Sequence, residues 1–435
     1  MIEGQLADFV SATRWDDLSG ASRQRVGDLL LDAIACAFTG HEASTRPAFA
    51  RIAHELGGDG DYVIINDAPA GLSSAVLINA WQTTATTMCD VYRPAMCHVT
   101  PIVLSAALAA AHGVSPSHAD FMVSFALGAE VTVRLCSAMD PGLYQGARWH
   151  APGVIGPFGS ATTVSRMHGT GPGELLRAWG LAGLQSSGTF SAIGSSGVKF
   201  TQARAALAGV TAARFSAAGL GGNPVSLSHP DGGLFDAYGG AKPGLAVLGL
   251  GSEWRLQDIS LRRWPAASSL QSLVECILRL RESPMVPQSL DIALPPQSFK
   301  LCAQMGWSEQ LEALQSARWV AAVVWADGGC WLDQFSPARL ADAALGEWAA
   351  TVTVREDARL PAGAAHVNAV LDDGTEITEE IMIALGSPDR ALSRQDVLEK
   401  LGRAAGEPRA ARIAALIDGV DWSFDALAAS LAGNG

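Results

Sequence analysis

The chain has 435 residues, 49% hydrophobic and 17% charged, with a formal net charge of −13. That length is more than one ordinary core needs and predicts two domains, while the apolar content excludes a disordered chain. The acidic balance argues against nucleic acid as a partner, because phosphate binding needs a basic surface.

The N-terminal segment MIEGQLADFVSATRWDD has neither a basic start nor a long apolar run, so no secretory leader is predicted. Val26, Leu29, Leu30, Ala33, Ile34, Ala37 and Phe38 then recur at helical spacing, and Gly40 ends the pattern. Further helices are predicted over 46–56, 72–87, 102–112, 119–138, 153–167, 173–184 and 202–218, with a short extended piece at 62–65. Many carry small residues on most faces, which lets helices pack closely around a common centre. Past about residue 250 the style changes. Strand character appears at 289–294, 348–354 and 366–371, and Asp373-Gly374 reads as a hairpin turn into 375–384. Helices are predicted between them at 270–280 and 310–326. Ser393 is an N-cap candidate for a helix over 394–402, and alanine-rich helices follow at 409–417 and 424–431.

The fold class is therefore mainly α. A large all-helical domain is built from both chain ends (1–262 and 392–435), with a smaller α+β lid domain inserted at 263–391. No run approaches the roughly 18 uninterrupted apolar residues of a membrane span, so no membrane partner is predicted and the expected location is cytoplasmic. Seven cysteines without paired spacing do not form a disulfide framework.

Reactive side chains concentrate in one stretch, NAWQTTATTMCDVYRPAMCHVTPIVLSAALAAAHGV, which holds Cys89, Asp90, Tyr92, Arg93, Cys97 and His98. Thr100-Pro101 follows as an N-cap candidate with proline at the first helical position, opening a helix that is apolar on nearly all sides. The positive end of such a helix, aimed at His98, is a natural seat for an anion. His150 likewise precedes Ala151-Pro152-Gly153, and Lys199, one of only four lysines, precedes a small-residue helix. The same device thus occurs three times: a basic side chain set just before a helix start. If those ends converge, they form a pocket suited to a di- or tricarboxylate, and one that favours proton abstraction next to a carboxylate. A histidine near a helix N-terminus is biased toward its neutral form and can act as a base near pH 7. A buried Lys199 could donate a proton or clamp a carboxylate.

Each of these residues also has a plainer reading. A histidine at a helix start serves as a capping or packing group, Lys199 snorkels to the surface, Arg93 is a solvated loop charge, and Asp90 is a loop hydrogen-bonder. Cys89, Asp90, Cys97 and His98 are possible metal ligands, but their spacing fits no zinc pattern and no second Cys/His pair completes a tetrahedral set, so no metal is predicted. There is no P-loop, no G-x-G-x-x-G between strand and helix, and no Gly-x-Ser-x-Gly elbow, so no nucleotide cofactor is predicted.

With these residues in hand, the chain resembles the MmgE/PrpD family, that of 2-methylcitrate dehydratase, cis-aconitate decarboxylase and iminodisuccinate epimerase. LLLDAIACAFTGH is similar to its opening segment, and CDVYRPAMCHVTPIVLSAALAAA to its acidic and His-Pro-Ser segments. GARWHAPGVIGPFGSA, SSGVKFTQARAALAGVTAA and GSPDRALSRQDVLEKL resemble three further family segments in the same order. The resemblance implies a helical domain, an α+β lid, a site between them, a homodimer and no required cofactor. It places His98, His150 and Lys199 on active-site positions and Asp90 in the acidic motif. The departures are informative. The family's upstream histidine and first aspartates are replaced in the 83–89 region, and its threonine after the acidic pair falls at or next to Tyr92. The lid motif reads RRWPAASSLQS, putting Gln271 where a histidine is usual, and Trp319 stands for a tyrosine.

The expected activity is a cofactor-independent lyase that removes water or carbon dioxide from a small polycarboxylate. Asp90, His98, His150 and Lys199 are the expected catalytic residues. Tyr92, Arg93 and Gln271 are expected to bind substrate. An isomerase or epimerase using the same proton abstraction is the near rival, which loss of the lid histidine fits. A binding or scaffolding protein on a decayed enzyme frame is the distant one.

Overall fold

Short-range signals set several helix starts. Ser19 accepts from the Ser22 amide at the start of one long helix and Ser117 from the Asp120 amide at the start of another. The computed structural model describes residues 1–139, 148–192, 194–239, 242–281 and 287–433. Gly146 and Ala147 of the GARWHAPG motif lie outside the described residues. In chain order the longer helices are α1 (Ile2–Ala12), α2 (Gly20–His41), α3 (Arg46–Gly57), α4 (Leu72–Ala85), α5 (Thr100–Ala111) and α6 (His118–Ala138). Next come α7 (Ala151–Met167), α8 (Pro172–Gly183) and α9 (Gly197–Ala217). After them follow α10 (Gln271–Leu280), β1 (Pro287–Leu294), α11 (Pro296–Cys302), α12 (Ala317–Asp327) and α13 (Ala343–Thr351). The chain closes with β2 (Thr353–Glu356), β3 (Ala365–Leu371), β4 (Glu376–Ile381), α14 (Arg394–Ala405), α15 (Glu407–Ile417) and α16 (Phe424–Leu431). The fold is mainly α, with a smaller α+β part.

The chain divides into two units. One comprises Met1–Ala85, Cys89–Ser260 and Arg394–Gly435, the other Thr86–Met88 and Leu261–Ser393. In the first, α5 is buried at every position, so it is a core helix without a solvent face. Helix α6 is long and apolar enough to cross a membrane, yet 94% of its most apolar window is buried inside the protein. The C-terminal helices return to this unit through charge. Lys400 Nζ on α14 lies 2.6 Å from Asp32 Oδ1 on α2, both buried, and Arg394 reaches Asp28 at 2.8 Å. Removing one partner of the Lys400–Asp32 pair would strand a buried charge, which fixes how α14 sits on α2.

The second unit is built on a four-stranded sheet of order β2-β1-β3-β4, parallel between β1 and β2 and antiparallel elsewhere. Strand β3 alternates strictly between buried and half-buried positions, and the buried set joins α10 and α12 in one apolar core. Two expectations need correction in this unit. The region 348–354 is not a strand from its start: α13 runs to Thr351, capped by Asp342 accepting from the Leu345 amide, and β2 begins only at Thr353. The helix expected over 310–326 is two, Gln310–Ala313 and α12, because Ser316 stops the first and caps the second by accepting from the Trp319 amide.

Candidate active site

Asp90 and His98 lie at the two ends of a tight loop. Tyr92 and Cys97 exchange backbone hydrogen bonds (2.7 and 3.1 Å), Arg93–Ala95 forms a single 3-10 turn, and Met96 turns the chain through a left-handed conformation (φ 49°). Antiparallel pairing of this kind brings the flanking residues side by side. The Asp90 carboxylate therefore meets the start of α5. Its Oδ2 accepts from the Val99 amide (2.9 Å), and its Oδ1 accepts from the Thr100 amide (2.9 Å) and hydroxyl (2.5 Å). Thr100 was expected to cap α5. Instead it is the first residue of the helix, and the cap is a carboxylate from nine residues upstream. Burial pushes the Asp90 carboxyl up to about 6, with Cys89 adding to the rise, while the bonds from Thr100 and Val99 and the nearby His98 oppose it. It is mostly ionised at pH 7. Both oxygens face these donors, so Asp90 is committed to α5 rather than turned toward a metal.

The Asp90 backbone carbonyl lies 2.6 Å from His98 Nδ1. A carbonyl only accepts, so the proton is on Nδ1 and the basic lone pair of the neutral ring is on Nε2. The Cys89 thiol sits 3.6 Å from the same Nδ1.

His150 is the residue before α7 and is buried. Its amide donates to the Gly188 carbonyl (3.0 Å), tying it to the segment before α9. Pro157 inside α7 cannot donate to the carbonyl four residues back, that of Gly153, and the Ser187 amide takes it instead at 3.1 Å. The loop that holds His150 thus docks where proline opens the helix ladder. Burial first, then the neighbouring His98 and Lys199, hold the His150 imidazole down at about 3, so it is neutral across the ordinary pH range. Its Nδ1 is buried with no hydrogen-bond partner among the described residues.

Lys199 does not precede its helix as expected. It lies in the first turn of α9 and is only 3% exposed. Helices α7 and α9 run parallel at close range. A Cβ built on Gly153 lies 2.4 Å from Thr201 Cγ2, and one on Gly209, further along, lies 2.3 Å from Ser160 Cβ. Between them, a Cβ on Gly156 lies 2.4 Å from Ile102 Cδ1 and 3.2 Å from Ala205 Cβ, so the first turn of α5 enters the same seam. The starts of α5, α7 and α9 therefore share one end of the bundle, and His98, His150 and Lys199 are brought together there.

Tyr92, Arg93 and Gln271, the residues expected to bind substrate, each make contacts of their own. Tyr92 turns toward α6, its hydroxyl 2.9 Å from Ser137 Oγ, and burial raises its pKa. Arg93 is half-buried on the 3-10 turn. Gln271 belongs to the second unit, where it is fully buried and its amide braces the 264–266 turn: Nε2 donates to the Trp264 and Ala266 carbonyls, and Oε1 accepts from the Trp264 amide. Trp319 is buried in that same unit and donates to the Gln334 carbonyl at 3.2 Å. Gln202, a polar residue one turn after Lys199 on an alanine-rich helix, was not predicted, and Cys89, seen in the sequence as a reactive side chain, places its thiol beside His98.

The MmgE/PrpD N-terminal domain matches residues 4–245 and the MmgE/PrpD C-terminal domain matches residues 264–419. A cis-aconitate decarboxylase of Aspergillus terreus is 24% identical over 463 residues, covering 98% of this chain and 94% of its own. The cis-aconitate decarboxylase-like protein oryM of Aspergillus oryzae is 24% identical over 370 residues, covering 77% and 76%. The human cis-aconitate decarboxylase is 24% identical over 316 residues, covering 69% and 65%. With both domains matched in order along most of its length, the chain belongs to the MmgE/PrpD family.

Proposed function

We propose that the protein is a cofactor-independent lyase that removes water or carbon dioxide from a small di- or tricarboxylate, beginning with proton movement next to a carboxylate. The observation that carries this reading is the 2.6 Å contact between His98 Nδ1 and the Asp90 carbonyl, which presents Nε2 as a base beside His150 and the buried Lys199. In this reading His98 takes the proton, Lys199 binds the carboxylate and offsets charge developing on it, and Asp90 holds the His98 loop against α5. In dehydration His98 takes the C–H proton, the C–H electrons form the new double bond, and hydroxide leaves as water with a proton given by Lys199. In decarboxylation no C–H proton is taken: the C–C electrons left by carbon dioxide bond to a proton that Lys199 gives to carbon and regains from solvent. The relatives named above carry the name of the second reaction, and the choice between the two is left to the experiment below.

Proton NMR in deuterium oxide with cis-aconitate, 2-methylcitrate and an amino-dicarboxylate tests the proposal. The expected result is loss of water or carbon dioxide from one acid, abolished in Lys199→Ala with the fold retained. Deuterium wash-in or inversion without loss of a group would make the protein an isomerase or epimerase. An unchanged panel with a Lys199→Ala variant indistinguishable in binding would sink the enzyme reading.

A further inference from the structure

Most buried amide side chains in this protein are spoken for. Asn79 accepts from the Ile65 amide at 2.9 Å and donates to the Val63 carbonyl at 2.8 Å, and Gln271 makes three bonds within its own unit. Gln202 is the exception of interest. It is fully buried on α9, yet both its Nε2 and its Oε1 lack a hydrogen-bond partner among the described residues. Folded proteins satisfy the great majority of buried polar atoms, and a stranded amide is costly enough that one kept in a core calls for a reason.

Position supplies the reason. Gln202 follows Lys199 by three residues on α9, so the two side chains lie on neighbouring turns of one face. The adjacent Thr201 packs on Gly153, three residues beyond His150, which puts Gln202 at the level of the α7 start. There His150 Nδ1 is a second buried atom without a partner among the described residues. Two unsatisfied side chains thus flank the group of residues read above as the proton-transfer site.

Resting on that reading, we propose that Gln202 is a substrate-binding residue. Its NH2 donates to a substrate carboxylate, and its carbonyl accepts from a hydroxyl or ammonium group on the same molecule. A neutral amide offers one donor side and one acceptor side, and a carboxylate alone uses only the first. The site therefore favours hydroxy- or amino-substituted polycarboxylates over unsaturated ones such as cis-aconitate, which carries no such donor.

Gln202→Met keeps the volume and removes both polar groups. In the ligand-free protein it is expected to raise the unfolding temperature, because a stranded amide is gone. In titration calorimetry it is expected to weaken 2-methylcitrate by about tenfold or more, and cis-aconitate by clearly less, since only the former loses a bond at the carbonyl. A lower unfolding temperature would overturn the proposal, since the amide would then be serving the fold through a structural water. Equal losses for the two acids, or none, would overturn it as well. If the wild type binds neither acid, the reading of the site as a polycarboxylate site fails on its own. The role of Gln202 as a ligand residue then rests on the ligand-free comparison, where a gain supports it and a loss removes it.

Discussion

The convergence of three helix starts rests on Gly156, and a double-mutant cycle can measure it. Gly156→Ala places a methyl group 2.4 Å from Ile102 Cδ1, with Ala205 Cβ next at 3.2 Å. Overpacking of this kind costs about 1–3 kcal/mol, partly offset by about 1 kcal/mol from replacing glycine inside a helix. The expected net loss is about 0–2 kcal/mol. Ile102→Val removes the clashing Cδ1 and alone costs about 1 kcal/mol in transfer and cavity terms. In the double variant the nearest remaining atom on residue 102 is its Cγ1, at 3.6 Å an ordinary contact. The pair should therefore lose no more than Ile102→Val alone, a favourable coupling of about 1–3 kcal/mol, the overpacking that is relieved. Thermal unfolding of the four proteins reads the coupling, and turnover or ligand binding should fall in Gly156→Ala and recover in the pair. Additive losses, within about 0.5 kcal/mol, would mean that α5 does not enter the α7–α9 seam, and the proposed site would lose its architecture.

Two further outcomes follow from the charge states. The Asp90 carboxyl is raised from 3.8 to about 6 in the fold, so its contribution to stability is full below the lower value and is lost as pH rises through the higher one. That is roughly 3 kcal/mol between pH 4 and 7. Asp90→Asn removes this slope, so the difference in unfolding temperature between wild type and variant should shift across that window, and parallel curves would refute it. His150 is held at about 3, so a carboxylate bound beside it raises its proton affinity. Binding of a polycarboxylate near pH 5 should take up a proton, seen as a buffer-dependent heat in calorimetry and lost in His150→Gln. A heat independent of buffer would show that the ligand does not sit against His150.

The parts of this site legible in the sequence were those written in local chemistry. His98, His150 and Lys199 each sit at a break between irregular chain and a run of small or apolar residues, and proline or glycine marks each helix start within a few positions. What could not be read was which partner each group chooses in space. Asp90 was legible both as an acid and as a loop hydrogen-bonder, and only the pairing of Tyr92 with Cys97 decides that it caps α5. The short run Thr351-Val352-Thr353-Val354 drew the expected strand into a helix, because β-branched residues outweighed the Asp342 cap signal nine residues earlier. Gln202 looked like one more helix-former, since nothing local shows that an amide will be buried without a partner.

The caps also revise where the positive charge of this site resides. The α5 start was expected to be an anion seat, but its Val99 and Thr100 amides donate to Asp90, Pro101 has no amide hydrogen, and the Ile102 amide donates to the Val99 carbonyl at 3.2 Å. The α9 start is likewise closed on itself. The Gly197 amide donates to Ser195 Oγ at 3.3 Å, and the Val198 and Lys199 amides donate to the Ser195 and Ser196 carbonyls. At α7, Pro152 lacks a donor and the Gly153 amide donates to the His150 carbonyl at 3.0 Å. Two of the three helix starts are thus spent on local bonds and the third nearly so, and the α5 dipole is already met by a carboxylate. An anion entering here finds little help from backbone amides. On the proposed reading it is Lys199, buried in the first turn of α9, that carries the positive charge, while the helix ends set the position of the side chains around it.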